Sequence, residues 1–216
     1  MIDDDPSLQA AYALSSVDDN RRLYARWAKD YDQDFAADMD YVLPRHVAQQ
    51  FLQHGGAAPV LDVGAGTGLL GQALRRHLSP LDAIDLSQEM LETAAQKNVY
   101  RHLDVADVTK PITHLGRLYD GIVSSGTFTH GHVGPNAIDN LLPLARDGAL
   151  FCLSINKLHW IEKGFEAKFQ SLDDKIERLT LVEVLIYGAN ATGPHRDDLG
   201  VIAMFKKRQN NDTSAD

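Results

Sequence analysis

The sequence has little cysteine and no long apolar run. Cys152 is the only cysteine in 216 residues, which excludes a disulfide framework and a metal cluster held by cysteines. No apolar run reaches the roughly 18 residues that a membrane-spanning helix needs. The first residues, Met-Ile-Asp-Asp-Asp-Pro, are acidic and do not resemble a secretory signal. We therefore expect a cytoplasmic protein that has no membrane partner.

Basic residues are also scarce, with 21 Lys and Arg against 30 Asp and Glu, and the formal net charge is −9. Binding to nucleic acid needs clustered Lys and Arg to neutralise phosphates. The short basic groups at 75–76 and 206–208 do not supply such a cluster. The charge therefore argues against nucleic acid and favours a small-molecule substrate, or a protein one. The length and the 44% hydrophobic content suit one α/β domain with a small extension.

The most informative stretch covers residues 59–77, where a strand, a turn and a helix are predicted. An apolar strand ends at Val63, and Gly64, Gly66 and Gly68 follow at alternate positions. Glycine tolerates positive φ and lets a ligand touch the backbone. The helix begins after the last glycine, and its first amides favour a carboxylate or a phosphate. Asp62 precedes the turn, where it could accept a hydrogen bond from a cationic group of the same ligand.

Two ligand classes use such a turn. The residues from Gly66 to Gly71 satisfy the dinucleotide pattern G-x-G-x-x-G. In that motif, however, the first glycine closes the strand, whereas here the strand closes at Gly64, and packing of the helix on the strand would explain Gly71. The pattern D-x-G-x-G-x-G instead resembles motif I of the class I S-adenosylmethionine (SAM)-dependent methyltransferases. That resemblance implies that the amino-acid end of SAM is held by Asp62, Gly64, Ala65, Gly66 and Gly68.

A second predicted strand ends at Asp85, about twenty residues after the turn opens. In nucleoside-binding Rossmann-like folds an acid at this place accepts hydrogen bonds from both ribose hydroxyls. The alternative is an acid beside a helix N-terminus, since Ser87 suits the N-cap. Strand, turn and spacing together favour ribose binding. The family resemblance adds Leu86 and Met90 to the cofactor site, with Met90 beside the adenine or, alternatively, in the core.

The third strand, predicted over 99–108, carries the adenine-binding candidates. The phrase A-D-V-T-x-P resembles the family's loop after this strand, which implies that Asp107 and Val108 contact the adenine amino group and ring edge. Asp104 is the alternative candidate for the acid. Alternatively, the acid has no ligand and is only a solvated residue of the turn.

The fourth strand, predicted from Tyr119 to Gly126, leads to the candidate catalytic residue. In an open parallel sheet, ligands bind beyond the carboxyl ends of the strands. Ser124, Ser125 and Gly126 would therefore line the SAM cleft, and His130 and His132 would lie near the methyl group. Histidine titrates near neutrality and suits removal of a proton from an acceptor. The alternative for His130 is a loop histidine bonded to the backbone; His132 and His195 are weaker candidates. We predict no metal site.

Residues 20–34 form a predicted helix with an aromatic stripe. Leu23, Trp27 and Tyr31 recur every four residues, with Tyr24 beside them. The stripe packs the helix on the domain, or it forms a lid over the ligand. The phrase W-A-x-x-Y-D resembles the helix before the core of many small-molecule methyltransferases, which implies a lid with Tyr24, Trp27 and Tyr31 at the cofactor. Together with G-T-F-T-H-G-H-V-G-P, it suggests the Williams–Beuren-region methyltransferase-like subgroup.

The later elements complete the predicted fold. Helices are expected over 136–145 and 165–179, and two closing strands over 180–187 and 201–205 are joined by a loop that suits an antiparallel return. The fold class is α/β: a Rossmann-like, seven-stranded, mostly parallel sheet with a reversed last strand, helices on both faces and an N-terminal helical lid. We predict an arm and lid over 1–43, the SAM-binding domain over 44–208 and a disordered tail over 209–216.

These features predict a SAM-dependent methyltransferase that methylates a small-molecule acceptor and releases S-adenosylhomocysteine. The alternative is a regulatory module that binds SAM or NAD without catalysis.

Overall fold

A computed structural model describes residues 17–28, 31–37, 39–129 and 133–209 of the chain. Seven strands form one sheet in the spatial order β3-β2-β1-β4-β5-β7-β6. Their bounds are Val60–Val63 (β1), Leu81–Asp85 (β2), His102–Val105 (β3), Tyr119–Phe128 (β4), Ala145–Asn156 (β5), Ile176–Leu185 (β6) and Leu199–Lys207 (β7).

Helices connect and cover these strands. The α-helices are Val17–Trp27 (α1), Leu43–Gln53 (α2), Leu69–Leu74 (α3), Gln88–Gln96 (α4), Ala137–Leu141 (α5), Lys157–Lys163 (α6) and Phe165–Gln170 (α7). A π-helix, Tyr31–Ala37, follows α1, and short 3₁₀ helices cover Thr113–Leu115 and Leu142–Leu144. In the described part of the chain, no helix combines the length and the apolar character that crossing a membrane requires.

The sheet confirms the predicted fold class. Strand β1 pairs in parallel with β2 and β4, and β5 pairs in parallel with β4. Strand β7 runs antiparallel to both β5 and β6, so the last strand is the reversed one. Because β1 lies between β2 and β4, the order of the strands reverses there, and a cleft opens beyond their carboxyl ends.

Apolar side chains of the strands alternate between two cores. Leu61 and Val63 of β1 face a core completed by α5 and α7, where Phe165 is fully buried. Val60 faces the other core, which contains Phe51 of α2 and residues of α3. Helices therefore lie on both faces of the sheet, as expected. A third cluster joins α1 and the π-helix to the region around α2 and the end of β6.

Several element boundaries differ from the predictions. Strand β3 is four residues long instead of ten. The predicted helix over 136–145 ends at Leu141 and tightens into a 3₁₀ turn at Pro143, a residue that cannot donate to the helix ladder. The predicted helix over 165–179 was wrong beyond Gln170, because Ile176 already begins β6 on the edge of the sheet. Helix α6 was not predicted.

Candidate active site

A cleft of about 1030 Å³, open solvent at its mouth included, lies beyond the carboxyl ends of β1, β2 and β4. Two tyrosines of the N-terminal segment, Tyr24 and Tyr31, line it as well. Thirteen of the sixteen residues predicted at the cofactor line it: Tyr24, Tyr31, Asp62, Gly64, Ala65, Gly66, Asp85, Leu86, Met90, Asp107, Val108, Ser125 and Gly126. The structure thus brings together residues from six separate segments.

The glycine turn forms the floor of the cleft and has the backbone geometry that the sequence predicted. Gly64, Gly66 and Gly68 adopt φ values of +66°, +54° and +88°, which side chains with a Cβ rarely tolerate. A Cβ on Gly64 would also lie 2.0 Å from Thr127 Oγ1, whereas the space beside Gly66 is open. The backbone is therefore accessible to a ligand at Gly66.

Asp62 is buried at the edge of this turn, with only 2% of its surface exposed. Its Oδ2 accepts a hydrogen bond of 2.6 Å from the Tyr100 hydroxyl. Its Oδ1 is buried and has no hydrogen-bond partner among the described residues. Burial raises the pKa of Asp62 to about 7, and the negative charge of Asp85 acts in the same direction. A buried acceptor without a donor is unfavourable, so this atom suits a cationic donor in the cleft.

Asp85 ends β2 and is fixed by two backbone amides. Gly66 N donates to Oδ2 at 2.8 Å, and Ser87 N donates to Oδ1 at 2.9 Å. Burial raises the pKa of Asp85, although these two amides favour the ionised form. Each carboxylate oxygen keeps a further lone pair, so the group can still accept hydrogen bonds from a diol. Ser87 also caps α4, as predicted, by accepting from Met90 N at 3.2 Å.

Met90, Asp107 and Val108 form the adjoining wall. Met90 is only 1% exposed and lines the cleft, so it belongs to the core, and its contact with the adenine stays a prediction. Burial alone would raise the pKa of Asp107, but hydrogen bonds from Thr109 and Lys110 outweigh it and lower the pKa. Asp104, the alternative acid, pairs with Arg117 and does not line the cleft.

The residues predicted to form a lid belong to two elements, α1 and the π-helix. Tyr24 of α1 and Tyr31 of the π-helix line the cleft, and the Trp27 ring packs edge-on against Tyr31 with centroids 5.2 Å apart. The π-helix is held to the glycine turn, because Thr67 Oγ1 donates to Asp32 Oδ1 at 2.5 Å. Lys97 Nζ of the turn after α4 donates to Asp32 Oδ2 at 2.5 Å.

Three predicted contact residues do not line the cleft. Trp27 is buried behind the two tyrosines. Gly68 is the N-cap of α3 and faces Tyr100 and Ala94. Ser124 is fully buried, with its hydroxyl donating to the Val63 carbonyl at 2.7 Å.

The histidine candidates are not at the described part of the cleft. His130 and His132 lie outside the described residues. His195 lies in the loop before β7, with Nδ1 3.1 Å from Asp198 Oδ2, and does not line the cleft. The role of His130 as a base stays a prediction.

Sequence reasoning missed other residues of the cleft. Tyr41 is the most informative, because its hydroxyl lies 3.5 Å from Ser125 Oγ and burial raises the pKa of Tyr41 to about 12. Its contact crosses 84 residues of sequence, so no local pattern could have indicated it. The other missed lining residues are Pro44, Thr67, Leu69, Leu70, Ala106, Thr109, Thr127 and Val133.

Comparison with known proteins agrees with this geometry. Residues 60–148 match the model of a methyltransferase domain. The human Methyltransferase-like protein 27 is 28% identical over 185 residues, which cover 83% of this chain and 74% of that protein. These matches support the assignment of the chain to the class I SAM-dependent methyltransferases. The cofactor is accordingly S-adenosylmethionine, which favours an enzyme over a non-catalytic module.

Solved structures share the fold of this methyltransferase at low sequence identity. The N-methyltransferase NodS from Bradyrhizobium japonicum WM9, in complex with S-adenosylhomocysteine, superposes with a TM-score of 0.65 at 18% identity and covers 88% of this chain and 98% of that one. The plantazolicin methyltransferase BpumL, in complex with a monoazolic desmethylPZN analog and S-adenosylhomocysteine, superposes with a TM-score of 0.55 at 15% identity. That match covers 88% of this chain and 95% of the other.

The described residues of this methyltransferase fit the cofactor. The buried Asp62 Oδ1 requires a donor, and SAM carries an ammonium group. The backbone at Gly66 is open to a ligand, and Asp85 is fixed with acceptor capacity left over.

Proposed function

We propose that this methyltransferase acts on a small-molecule acceptor. The observation that carries the proposal is the cleft: Tyr24 and Tyr31 line it, and Asp32 joins their segment to the glycine turn. A concave site lined by apolar and aromatic side chains together with a few polar groups is typical of small-molecule binding. The BpumL complex contains a monoazolic desmethylPZN analog, which is consistent with an acceptor of this kind.

Each wall of the cleft has a proposed role in holding the cofactor. Asp62 accepts from the α-ammonium group, and the backbone around Gly66 receives the carboxylate. Asp85 accepts from the two ribose hydroxyls, since a carboxylate offers paired acceptors for a diol. Asp107 contacts the adenine amino group, while Met90 and Val108 pack on the ring.

Methyl transfer needs little covalent help from the protein. The bound cofactor supplies an electrophilic methyl group on a sulfonium. The protein's part is to hold the acceptor's lone pair in line with that methyl group and to exclude water. Burial keeps Tyr24, Tyr31 and Tyr41 as neutral phenols, because it raises the pKa of each ring hydroxyl. These tyrosines therefore position the acceptor instead of removing its proton, and His130 remains the proposed base.

The experiment has a binding arm and a turnover arm. Asp85→Ala removes both ribose acceptors and should weaken SAM binding at least about tenfold, because hydrogen bonds to a charged group are worth about 1.5–3 kcal/mol. Asp120→Ala is the control, since Asp120 pairs with Arg146 on the surface and does not line the cleft. Calorimetry measures the affinities, and formation of S-adenosylhomocysteine reports turnover with a panel of small amines, phenols and thiols. Unchanged affinity in Asp85→Ala would refute the ribose role, and turnover only with protein or nucleic acid would refute the acceptor class.

A further inference from the structure

Asp62 presents two different oxygens to its surroundings. Oδ2 is occupied by the Tyr100 hydroxyl at 2.6 Å, whereas the buried Oδ1 has no partner among the described residues. Without the hydrogen bond to Oδ2, the carboxylate could rotate about its side-chain bonds and turn Oδ1 away from the cleft. The direction of Oδ1 therefore depends on the group that fixes Oδ2.

Tyr100 is itself fixed from a second side. It lies in the turn between α4 and β3, and its hydroxyl accepts a hydrogen bond of 3.2 Å from Gly71 N in α3. A Cβ on Gly71 would lie 2.3 Å from that hydroxyl. Gly71 is thus needed because the tyrosine occupies the space beside it, and not because α3 packs on the strand. One phenol joins the turn before β3, the first turn of α3 and the end of β1.

We propose that Tyr100 is a positioning residue for cofactor binding: its hydroxyl holds Asp62 so that Oδ1 faces the α-ammonium group of SAM. Tyr100 does not line the cleft, so its effect on the cofactor would act through Asp62. The inference rests on the role proposed above for Asp62. It adds a residue 38 positions away in sequence to the machinery that recognises the amino-acid end.

The electrostatics of the pair agree with this geometry. Burial, together with the charge of Asp62, raises the pKa of Tyr100 well above its usual value, so the phenol stays a donor. Asp62 is faced by Asp85 from β2, which raises its pKa, and by the Tyr100 hydroxyl and the Gly71 amide, which lower it. Loss of the hydroxyl removes a stabilising contact from the ionised form. The pKa of Asp62 would then rise further, and less of it would be ionised at neutral pH.

Tyr100→Phe keeps the ring and removes only the hydroxyl. Affinity for SAM and S-adenosylhomocysteine should fall about tenfold or more at pH 7, as expected for the loss of a hydrogen bond to a charged group. The affinity of the wild-type enzyme should increase as the pH rises through about 7, where Asp62 ionises, and this midpoint should shift upward in the variant. Methylthioadenosine lacks the amino-acid end, so its affinity should not change. Kd is measured by calorimetry between pH 5.5 and 8.5.

Tyr119→Phe is the matched control. Its hydroxyl also donates to a buried aspartate, Asp82 Oδ2 at 3.0 Å, but neither residue lines the cleft. This variant should keep the wild-type affinity and midpoint. Gly71→Ala, which displaces the Tyr100 hydroxyl from the other side, is the second variant and should reproduce the upward shift.

The outcomes separate the two proposals. If Asp62→Asn binds SAM as tightly as the wild type, the role of Asp62 fails and the inference fails with it. If Asp62→Asn weakens binding while Tyr100→Phe keeps the wild-type affinity and midpoint, only the inference is overturned. An equal loss in Tyr100→Phe and Tyr119→Phe, or equal losses for SAM and methylthioadenosine, would also overturn it, because a general effect on folding would then explain the data.

Discussion

At the scale of single residues, Asp62 shows how function can oppose stability. The carboxyl is almost fully buried, and burial raises its pKa from an ordinary value near 4 to about 7. The folded state therefore favours the protonated form. The penalty for ionisation is absent below about pH 4, grows as the pH rises and is complete above about 7. Three pKa units correspond to about 4 kcal/mol as an upper bound.

Asp62→Asn should consequently stabilise the ligand-free enzyme while weakening the cofactor site. The amide keeps an acceptor for Tyr100 and carries no charge, so the free energy of unfolding should rise above the wild-type value at pH 8 and match it near pH 4. SAM affinity should fall at least about tenfold, since the partner of the ammonium is lost. Urea denaturation at both pH values and calorimetry measure the two effects. Lower stability than the wild type at pH 8 would contradict this account of Asp62.

At the scale of secondary-structure elements, local patterns predicted the elements that form the cleft. They did not predict the contacts between distant parts of the chain. The β1–turn–α3 unit and the Ser87 cap depend on neighbouring residues, and both were found where the sequence placed them. The helix predicted over 165–179 was too long, because pairing with β7 draws Ile176 and the residues after it into the sheet. Tyr41 and Tyr100 reach the site across distant parts of the chain, and neither belongs to a periodic or motif pattern.

The π-helix provides a prediction at this scale, because one carboxylate joins it to two other elements. Asp32 accepts from Thr67 of the glycine turn and from Lys97 after α4, and the neighbouring Tyr31 lines the cleft. Asp32→Asn should weaken SAM binding about three- to tenfold, as expected for a partly buried ion pair worth about 1 kcal/mol. It should also speed amide hydrogen exchange over 31–37.

Glu183→Gln is the control for Asp32→Asn, since it breaks an exposed pair with Lys157 away from the cleft. Trp27 gives a second readout of the lid by fluorescence, in a Trp160→Phe background that removes the other tryptophan. Wild-type exchange and wild-type fluorescence in Asp32→Asn would show that the carboxylate does not hold this element in place.

At the scale of the whole molecule, the two ends of the parallel strands carry aspartates whose pKa values are shifted in opposite directions. Strand β2 has Asp85 at its carboxyl end, in the cleft, and Asp82 near its amino end. Asp82 accepts two hydrogen bonds from Arg101, at 2.9 and 2.8 Å, and one from Tyr119. Burial alone would raise the pKa of Asp82, but these donors outweigh it and lower the pKa. The carboxyl ends of the strands therefore hold carboxylates with acceptor capacity left for a ligand. The amino end of β2 holds a carboxylate whose hydrogen bonds are already made within the protein.

Asp82→Asn should lower stability without affecting the cofactor. The loss of charge-assisted hydrogen bonds should reduce the free energy of unfolding by about 1–3 kcal/mol at pH 7. Because the folded-state pKa is depressed, this contribution is present above an unfolded-state pKa of about 4 and is lost as the pH falls through the folded-state value. The difference between Asp82→Asn and the wild type should therefore shrink on acidification. Urea denaturation at pH 7 and pH 3 measures it, and calorimetry should give the wild-type affinity for SAM. If Asp82→Asn weakened SAM binding as much as Asp62→Asn does, the two ends of the strands would be energetically coupled. Stability and cofactor recognition could then not be assigned to separate ends of the same sheet.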